Sequence, residues 1–321
     1  MNICNPLMSL VSLSDILHWY SLESPLIIEV KVPRLRFIHL IVICCFLIVT
    51  KANACDSSVP CAKQGEWNLG IALGIGARSN PLVDGDVFPN IVLVDIAWYG
   101  EQVYFDNAEI GYKLIDNDTI GVESYLTLDR EASHFKFWHV GNFSVAVVAP
   151  PAGVPNEPPD NQGSEGELSY IALDEVSDRK WAVNFGTRIH FYQPDSEITL
   201  AVETDASGVH KGHKAILSYE HFWAGNDWQF SIRPSLTWKS DGLVNYYYGI
   251  SERDSPIENV HYEASGGFQP SIAILFTKKI NDKWHWIANA SYQKLHSGMT
   301  DSPLVDENNI NNVFVGVGYR F

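Results

Sequence analysis

Ile310-Asn311-Asn312-Val313-Phe314-Val315-Gly316-Val317-Gly318-Tyr319-Arg320-Phe321, the last stretch of the chain, is the segment whose reading decides the fold. Strand side chains alternate between two faces, so Val313, Val315, Val317, Tyr319 and Phe321 share one side. The other side carries Asn312, Phe314, Gly316, Gly318 and Arg320, small or polar apart from Phe314. A greasy face backed by a small, polar one suits a wall between hydrocarbon and a wet lumen. The last strand of a soluble sandwich would alternate in the same way, so the decision falls to what precedes it.

Upstream, the rhythm repeats. Trp67, Leu69, Ile71, Leu73 and Ile75 alternate with Asn68, Gly70, Ala72, Gly74 and Gly76. Glycine weakens a strand, and a run of it on the inward face indicates close packing inside. Asn80-Pro81 and Asp84-Gly85 mark a loop over 77–89. Strands are then expected at 90–99, 102–115 and 119–129, with turns at Gly100 and at Asp116-Asn117-Asp118. On the third of these Ile120, Val122, Ser124, Leu126 and Leu128 share a face. The pattern breaks over 130–179, where Pro150-Pro151, Pro155 and Pro158-Pro159 exclude an ordered strand across 150–166. It resumes at 181–193, 197–204, 213–223, 228–239, 243–250, 267–279 and 284–296. With the terminal strand this makes an antiparallel transmembrane β-barrel of about 12 strands (10–14), most of them long enough to cross tilted.

Both ends of such a barrel lie on the periplasmic side, which demands an even number. Four strands before it would bring the Pro- and acid-rich segment 130–179 out on the periplasmic side. A hidden additional pair, at 143–149 and 168–173, would turn its tip outward instead.

The chain has 321 residues, 46% of them hydrophobic, with 10 Trp and 14 Tyr. No apolar run reaches the roughly 18 residues of a helical span. A barrel crosses a bilayer at modest hydropathy because only alternate residues face lipid. Residues 31–54 read as a cleaved signal peptide: Lys31, Arg34 and Arg36, an apolar stretch over 37–50, then Ala52-Asn53-Ala54 before Cys55. Residues 1–30 are an upstream extension, either from a start placed too early or an unusually long basic region. Residues 55–65 form a mature leader. In an oxidising periplasm Cys55 and Cys61 close a small loop, stay as thiols, or Cys55 takes a lipid. Removing 1–54 leaves a net charge of −17, a poor match for nucleic acid, whose phosphates need clustered Lys and Arg. Trp67, Trp98, Trp181, Trp223, Trp228, Trp238 and Trp284, with Tyr99 and Tyr319, fall near expected strand ends, as interfacial belts require.

Several short stretches bear a family resemblance. Val244-Asn245-Tyr246-Tyr247-Tyr248-Gly249-Ile250-Ser251 is followed by Tyr262 and Gly266-Gly267, and Leu295 by Asp301-Ser302-Pro303-Leu304-Val305. The chain closes on Val317-Gly318-Tyr319-Arg320-Phe321. Asp178-Arg179-Lys180-Trp181 and the opening strand with Asn80-Pro81 and Phe88-Pro89 precede them. In this order they resemble the MltA-interacting protein (MipA/OmpV) family of Gram-negative outer-membrane proteins, over roughly 66–321. The resemblance implies an outer-membrane barrel set in lipid that binds a murein hydrolase and a peptidoglycan synthase on the periplasmic side. Tyr319 and the terminal Phe321 resemble the signal read by the outer-membrane assembly machinery. The Pro-rich insertion and the Cys55/Cys61 leader depart from the family pattern.

Candidate chemistry is sparse. Among eleven His, His210 and His213 flank Lys211-Gly212, but no third ligand is near in sequence and Lys211 opposes a cation. Ser218, Glu220 and His221 are the best local hydrolytic set, yet alternation puts His221 on the opposite face from the other two. Gly70, Gly74 and Gly76 lack the helix that a nucleotide loop needs. The expectation is therefore no enzyme, no catalytic, cofactor or metal residues, and no cofactor. A scaffold for peptidoglycan-remodelling enzymes leads; a small pore for polar solutes and a surface adhesin are the alternatives.

Overall fold

The computed structural model describes residues 64–85, 87–135 and 176–321. The expectations for 1–30, the signal peptide, Cys55, Cys61, the Pro-rich 150–166 and the additional pair at 143–149 and 168–173 lie outside those residues.

Twelve antiparallel strands form the barrel among the described residues. In chain order they are β1 (Trp67–Arg78), β2 (Val92–Tyr99), β3 (Val103–Asp106), β4 (Glu109–Asp116), β5 (Ile120–Leu128), β6 (Val183–Gln193), β7 (Ser196–Asp205), β8 (His213–Ala224), β9 (Trp228–Lys239), β10 (Gly267–Lys279), β11 (Trp284–Lys294) and β12 (Asn309–Arg320). Each pairs with its sequence neighbour, and β12 pairs back onto β1 from Gly70↔Arg320 to Arg78↔Asn312. A two-residue strand, Phe88–Pro89, also lies against the end of β1. Closure of β12 onto β1 joins the two ends of the sheet, as a wall in hydrocarbon requires; the short β3 pairs with β2 only over Ala97–Tyr99.

Facing follows the alternation. Ile75 is 80% exposed on the outer wall, whereas Phe314 is fully buried on the inner one. Trp67, Leu69, Ile71, Leu73 and Val315 point out with Ile75. No helix among the described residues is long and apolar enough to cross a membrane.

The two ends of the barrel differ. At one, strands are joined by tight turns, closed by bonds such as Gly100 N–H to the Val103 carbonyl and Gly225 N–H to that of Trp228. The chain terminus lies there too, with Phe321 N–H bonded to the Leu69 carbonyl at 3.0 Å. Rings collect at this end: Trp67 is in register with Trp98, and Trp284, Tyr319 and Phe321 stack edge to face in series. The opposite end carries long connections holding three short helices, α1 (Ala132–Phe135), α2 (Asp241–Tyr248) and α3 (Ser297–Thr300). These connections share an apolar core that includes Leu82, Ala132, Leu243, Tyr247, Met299 and Leu304. Outer-membrane barrels turn their short loops to the periplasm and their long ones outward. The packed end is therefore an outer cap.

Two expected elements are corrected. The single strand at 102–115 is the hairpin β3–β4, turned at Asn107 and Ala108 with φ of 45° and 74°. Asn tolerates that region but Ala disfavours it, and without a Gly the pair Asp106-Asn107 is a weak turn signal inside an otherwise extended run. The expected strand at 243–250 is instead α2, because Leu243, Val244, Tyr247 and Tyr248 recur with helical spacing and are all buried against the cap. One strand gained and one lost leave the total at twelve.

The order, however, changes. Five strands rather than four precede 130–179, and its flanks Leu128 and Val183 pair at the cap end. The expectation that this segment emerges on the periplasmic side is overturned.

Candidate functional site

The lumen is built from the inward phase of each strand, and a run of paired charges crosses it from β4 to β9. Arg188 on β6 donates to Glu109 on β4 at 2.9 and 3.0 Å and to Glu123 on β5 at 2.6 Å. Its guanidinium lies 4.0 Å from the centre of the Tyr125 ring. His190, two residues on and on the same face, sits between Glu123 and Glu197, with Nδ1 2.6 Å from the latter. Nearer the cap, Lys214 on β8 meets Glu203 at 2.8 Å and Asp129 at 3.6 Å. Asn184 bridges the same two carboxylates, and Tyr125 donates to Glu203. Arg233 on β9 pairs with Glu220 on β8. Such mutual neutralisation is what buried charges require. The pairs cross-link strands β4 to β9 on the inner wall.

The cap is bolted to this wall. Lys239, at the end of β9, donates to Glu131 at 2.5 Å, and Tyr248 of α2 donates to the same carboxylate at 2.6 Å. Burial opposes ionisation of Glu131, but the Lys239 charge and both hydrogen bonds outweigh it and hold its pKa below the ordinary carboxylate value. Arg179 has its side chain fully buried and meets Asp254 at 2.7 Å. It also donates to the Tyr247 and Gly249 carbonyls at the end of α2. Two of the sequence motifs, Asp178-Arg179-Lys180-Trp181 and Tyr246-Tyr247-Tyr248-Gly249, thus meet in one contact.

The residues singled out from sequence do not converge. His210 is buried under α2, its Nδ1 accepting from Gly212 N–H at 2.9 Å and its Nε2 4.0 Å from Asp129. His213 is exposed at the start of β8. Glu220 and Ser218 face inward, while His221 faces out with its ring 4.2 Å from that of Trp223. Gly74 lies under the Phe314 ring: a Cβ there would stand 2.7 Å from its tip. Tyr319 is half-exposed and Phe321 73% exposed at the turn end. The lumen ion network was not anticipated, although Glu123, Arg188, His190, Glu197, Glu203 and Lys214 all occupy the inward phase of their strands.

Beside this network lies a cavity of about 400 Å³ toward the turns, whose lining includes Asp95, Asp227, Lys279, Asp282, Lys283 and Arg320. Ala72, Leu93, Leu275 and Ile287 line it, and they pack with the buried Phe314.

Comparison with known proteins gives a consistent picture. The family model for MltA-interacting protein MipA matches residues 69–321. The outer membrane protein Omp26La of Vibrio anguillarum is 22% identical over 260 residues, covering 80% of this chain and 88% of that protein. The MltA-interacting protein of Escherichia coli K12 is 27% identical over 284 residues, 86% of this chain and 96% of that one. The outer membrane protein OmpV of Vibrio cholerae is 25% identical over 153 residues, 48% of this chain and 60% of that one.

Proposed function

The chain belongs to the MltA-interacting protein (MipA) family of outer-membrane β-barrels, and from that membership we propose that it is a closed scaffold rather than an enzyme or an open pore. In this reading it holds a murein hydrolase and a peptidoglycan synthase at the periplasmic rim. The observation that supports it is the packed outer end, where the cap core and the bonds to Glu131 draw the described long connections together and leave the short-turn rim as the periplasmic surface.

Part of that rim is acidic, with Glu101, Asp116 and Asp118 all exposed. A chain of net charge −16 with such a rim suits partners that present basic surfaces. Contacts of this kind weaken as salt screens them. The test is co-purification from solubilised envelopes. Murein enzymes should come down with the wild type and fall away in D116K/D118K, with the barrel still heat-modifiable. Undiminished capture by that variant removes the acidic rim as the docking element. If the intact protein captures no such enzyme and conducts ions in a planar bilayer, the pore reading replaces this one.

A further inference from the structure

The β3–β4 hairpin stops part-way up β2. At its tip Asn107 N–H bonds to the Ile96 carbonyl at 2.9 Å, and Asn107 Oδ1 accepts from Ile96 N–H at 3.1 Å. Alternate residues of an antiparallel strand turn their N–H and C=O to the same neighbour. Gly74 N–H bonds to the Ile91 carbonyl, so Ile91, Leu93 and Asp95 serve β1, while Val92, Val94 and Ile96 turn the other way. Beyond Ile96, Val92 and Val94 therefore present backbone groups that no strand among the described residues answers. Across the hairpin, the β4–β5 ladder likewise ends at Ile110↔Leu126, short of Leu128. Val94 lies opposite Ile71 and Val92 opposite Leu73, both on the lipid wall. Hydrocarbon supplies no hydrogen bonds, so a strand edge does not stay bare there. From this edge we infer that β2 takes one more antiparallel strand, residues 143–149 of this same chain, alongside Val92–Val94.

Three observations select that occupant. First, the chain outside the described residues, 136–175, is tethered at the right end. Its flanks Phe135 and Val176 both pack on the cap core. α1, just before it, meets the cap end of β1, the strand beside β2: Arg78 donates to Ser133 Oγ and Asn80 to the His134 carbonyl. Second, residues 136–142 span up to roughly 23 Å when extended, enough to descend from the cap to the level of Val94. Third, the sequence fits the wall. Phe143, Val145 and Val147 alternate with Ser144 and Ala146, as the large apolar residues of β1 alternate with small ones. Gly141-Asn142 before the run and Pro150-Pro151 after it are turn and strand-end signals. The other apolar run, 168–173, puts Leu168 and Tyr170 on one face and Ile171 and Leu173 on the other, which suits the wall less well.

A tethered segment also competes at high effective concentration. A second copy would meet the edge only over Val92 and Val94, and a lipid chain brings no donors or acceptors to it.

The experiment is disulfide scanning of the full chain in outer membranes, with Cys55→Ser and Cys61→Ser as background. Val94→Cys is combined with one cysteine substitution at each of 143–148 in turn. Directly paired strand residues lie within disulfide reach. Oxidation should link Val94→Cys within the chain to Phe143→Cys, Val145→Cys or Val147→Cys, which share its outward face, and not to the inward positions between them. Leu73→Cys, one strand further away, should link to none of them. No link at any position, or equal yield at every position, overturns the inference. A disulfide dimer formed by Val94→Cys alone also overturns it, because a second copy would then hold the edge. Where the cysteine variants give no heat-modifiable barrel, hydrogen exchange decides. In wild type the Val92 and Val94 amides should be as protected as that of Leu93, which the β1 ladder holds. V145P/V147P removes the donors facing β2 and should speed Val92 and Val94 about tenfold with Leu93 unchanged. Exchange at Val94 about tenfold faster than at Leu93 in wild type, or no change in the proline variant, would mean that 143–149 does not pair there.

Discussion

Arg179 concentrates several demands at one residue. Its guanidinium pairs with Asp254 and donates to two backbone carbonyls at the end of α2. Arg179→Ala would remove the closest cation from the buried Asp254 carboxylate, leaving it Arg253 at 3.6 Å and the Ser177 and Ser251 N–H groups, a loss at the lower end of the about 3–5 kcal/mol for a broken buried pair. That loss should fall on the cap while the barrel persists. Hydrogen exchange in 241–254 should accelerate, with heat-modifiability unchanged; unaltered protection there would show that the pair carries no stability. Acid should loosen the same region. Burial depresses the His210 pKa below its ordinary value despite the nearby Asp129 and Asp205 carboxylates. Its neutral form is thus the folded one, so its contribution is full above the unfolded value of about 6.5 and lost as pH falls below it. At Asp254, burial raises the pKa, but the Arg179 ion pair and the Ser251 N–H prevail and hold it low. That contribution is present above the ordinary value of about 3.9 and disappears as pH drops through the folded pKa. Cap protection should therefore fall in two stages on acidification, and the upper stage should be missing in His210→Gln. A single stage in wild type would contradict this.

At the scale of the element, the strands were legible where one period dominated and illegible where it did not. β1 and β12 could be read face by face because large apolar residues alternate with small or polar ones, as Trp67, Leu69, Ile71, Leu73 and Ile75 do with Asn68, Gly70, Ala72, Gly74 and Gly76. Arg at Ile71, mid-strand on the lipid wall, should accordingly cost about 2–4 kcal/mol. Arg at the loop residue Asp84 should cost far less in a urea titration of the micelle-embedded barrel, and equal tolerance would refute the facing. The β3–β4 hairpin escaped notice because its turn residues are Asn107 and Ala108, and the second sits at φ 74° without being Gly. Ala108→Gly should relieve about 1 kcal/mol of left-handed strain and raise the urea midpoint; a lowered midpoint would mean the methyl group is doing something the backbone does not reveal. α2 reads as a strand from its own residues because Tyr246, Tyr247 and Tyr248 favour extended structure in isolation. What makes them helical is the cap core around Leu243 and Val244, which a local window does not contain. The lumen network was legible in principle, since inward parity alone lines up Arg188 and His190 on β6 with Glu197 and Glu203 on β7, but not their pairing across strands.

Across the whole molecule, closure depends on a seam between the first and last strands, so the terminus matters twice. The paired register from Gly70↔Arg320 to Arg78↔Asn312 seals the wall. Phe321 itself adds one backbone bond to Leu69 and one edge-to-face contact with Tyr319, and its ring is largely exposed. Deleting it should thus cost the folded barrel only about 1–2 kcal/mol, the sum of a typical hydrogen bond and a ring pair. If Tyr319 and Phe321 serve as an address for the assembly machinery, the cellular effect should be out of proportion to that loss. Refolding of the truncated chain from urea into detergent should proceed almost as in wild type, while in cells the heat-modifiable form should vanish from the outer-membrane fraction. Normal assembly in cells would remove the address reading. Failure in both settings would place the role of Phe321 in the seam itself, and the structural cost deduced from its two contacts would then be too small.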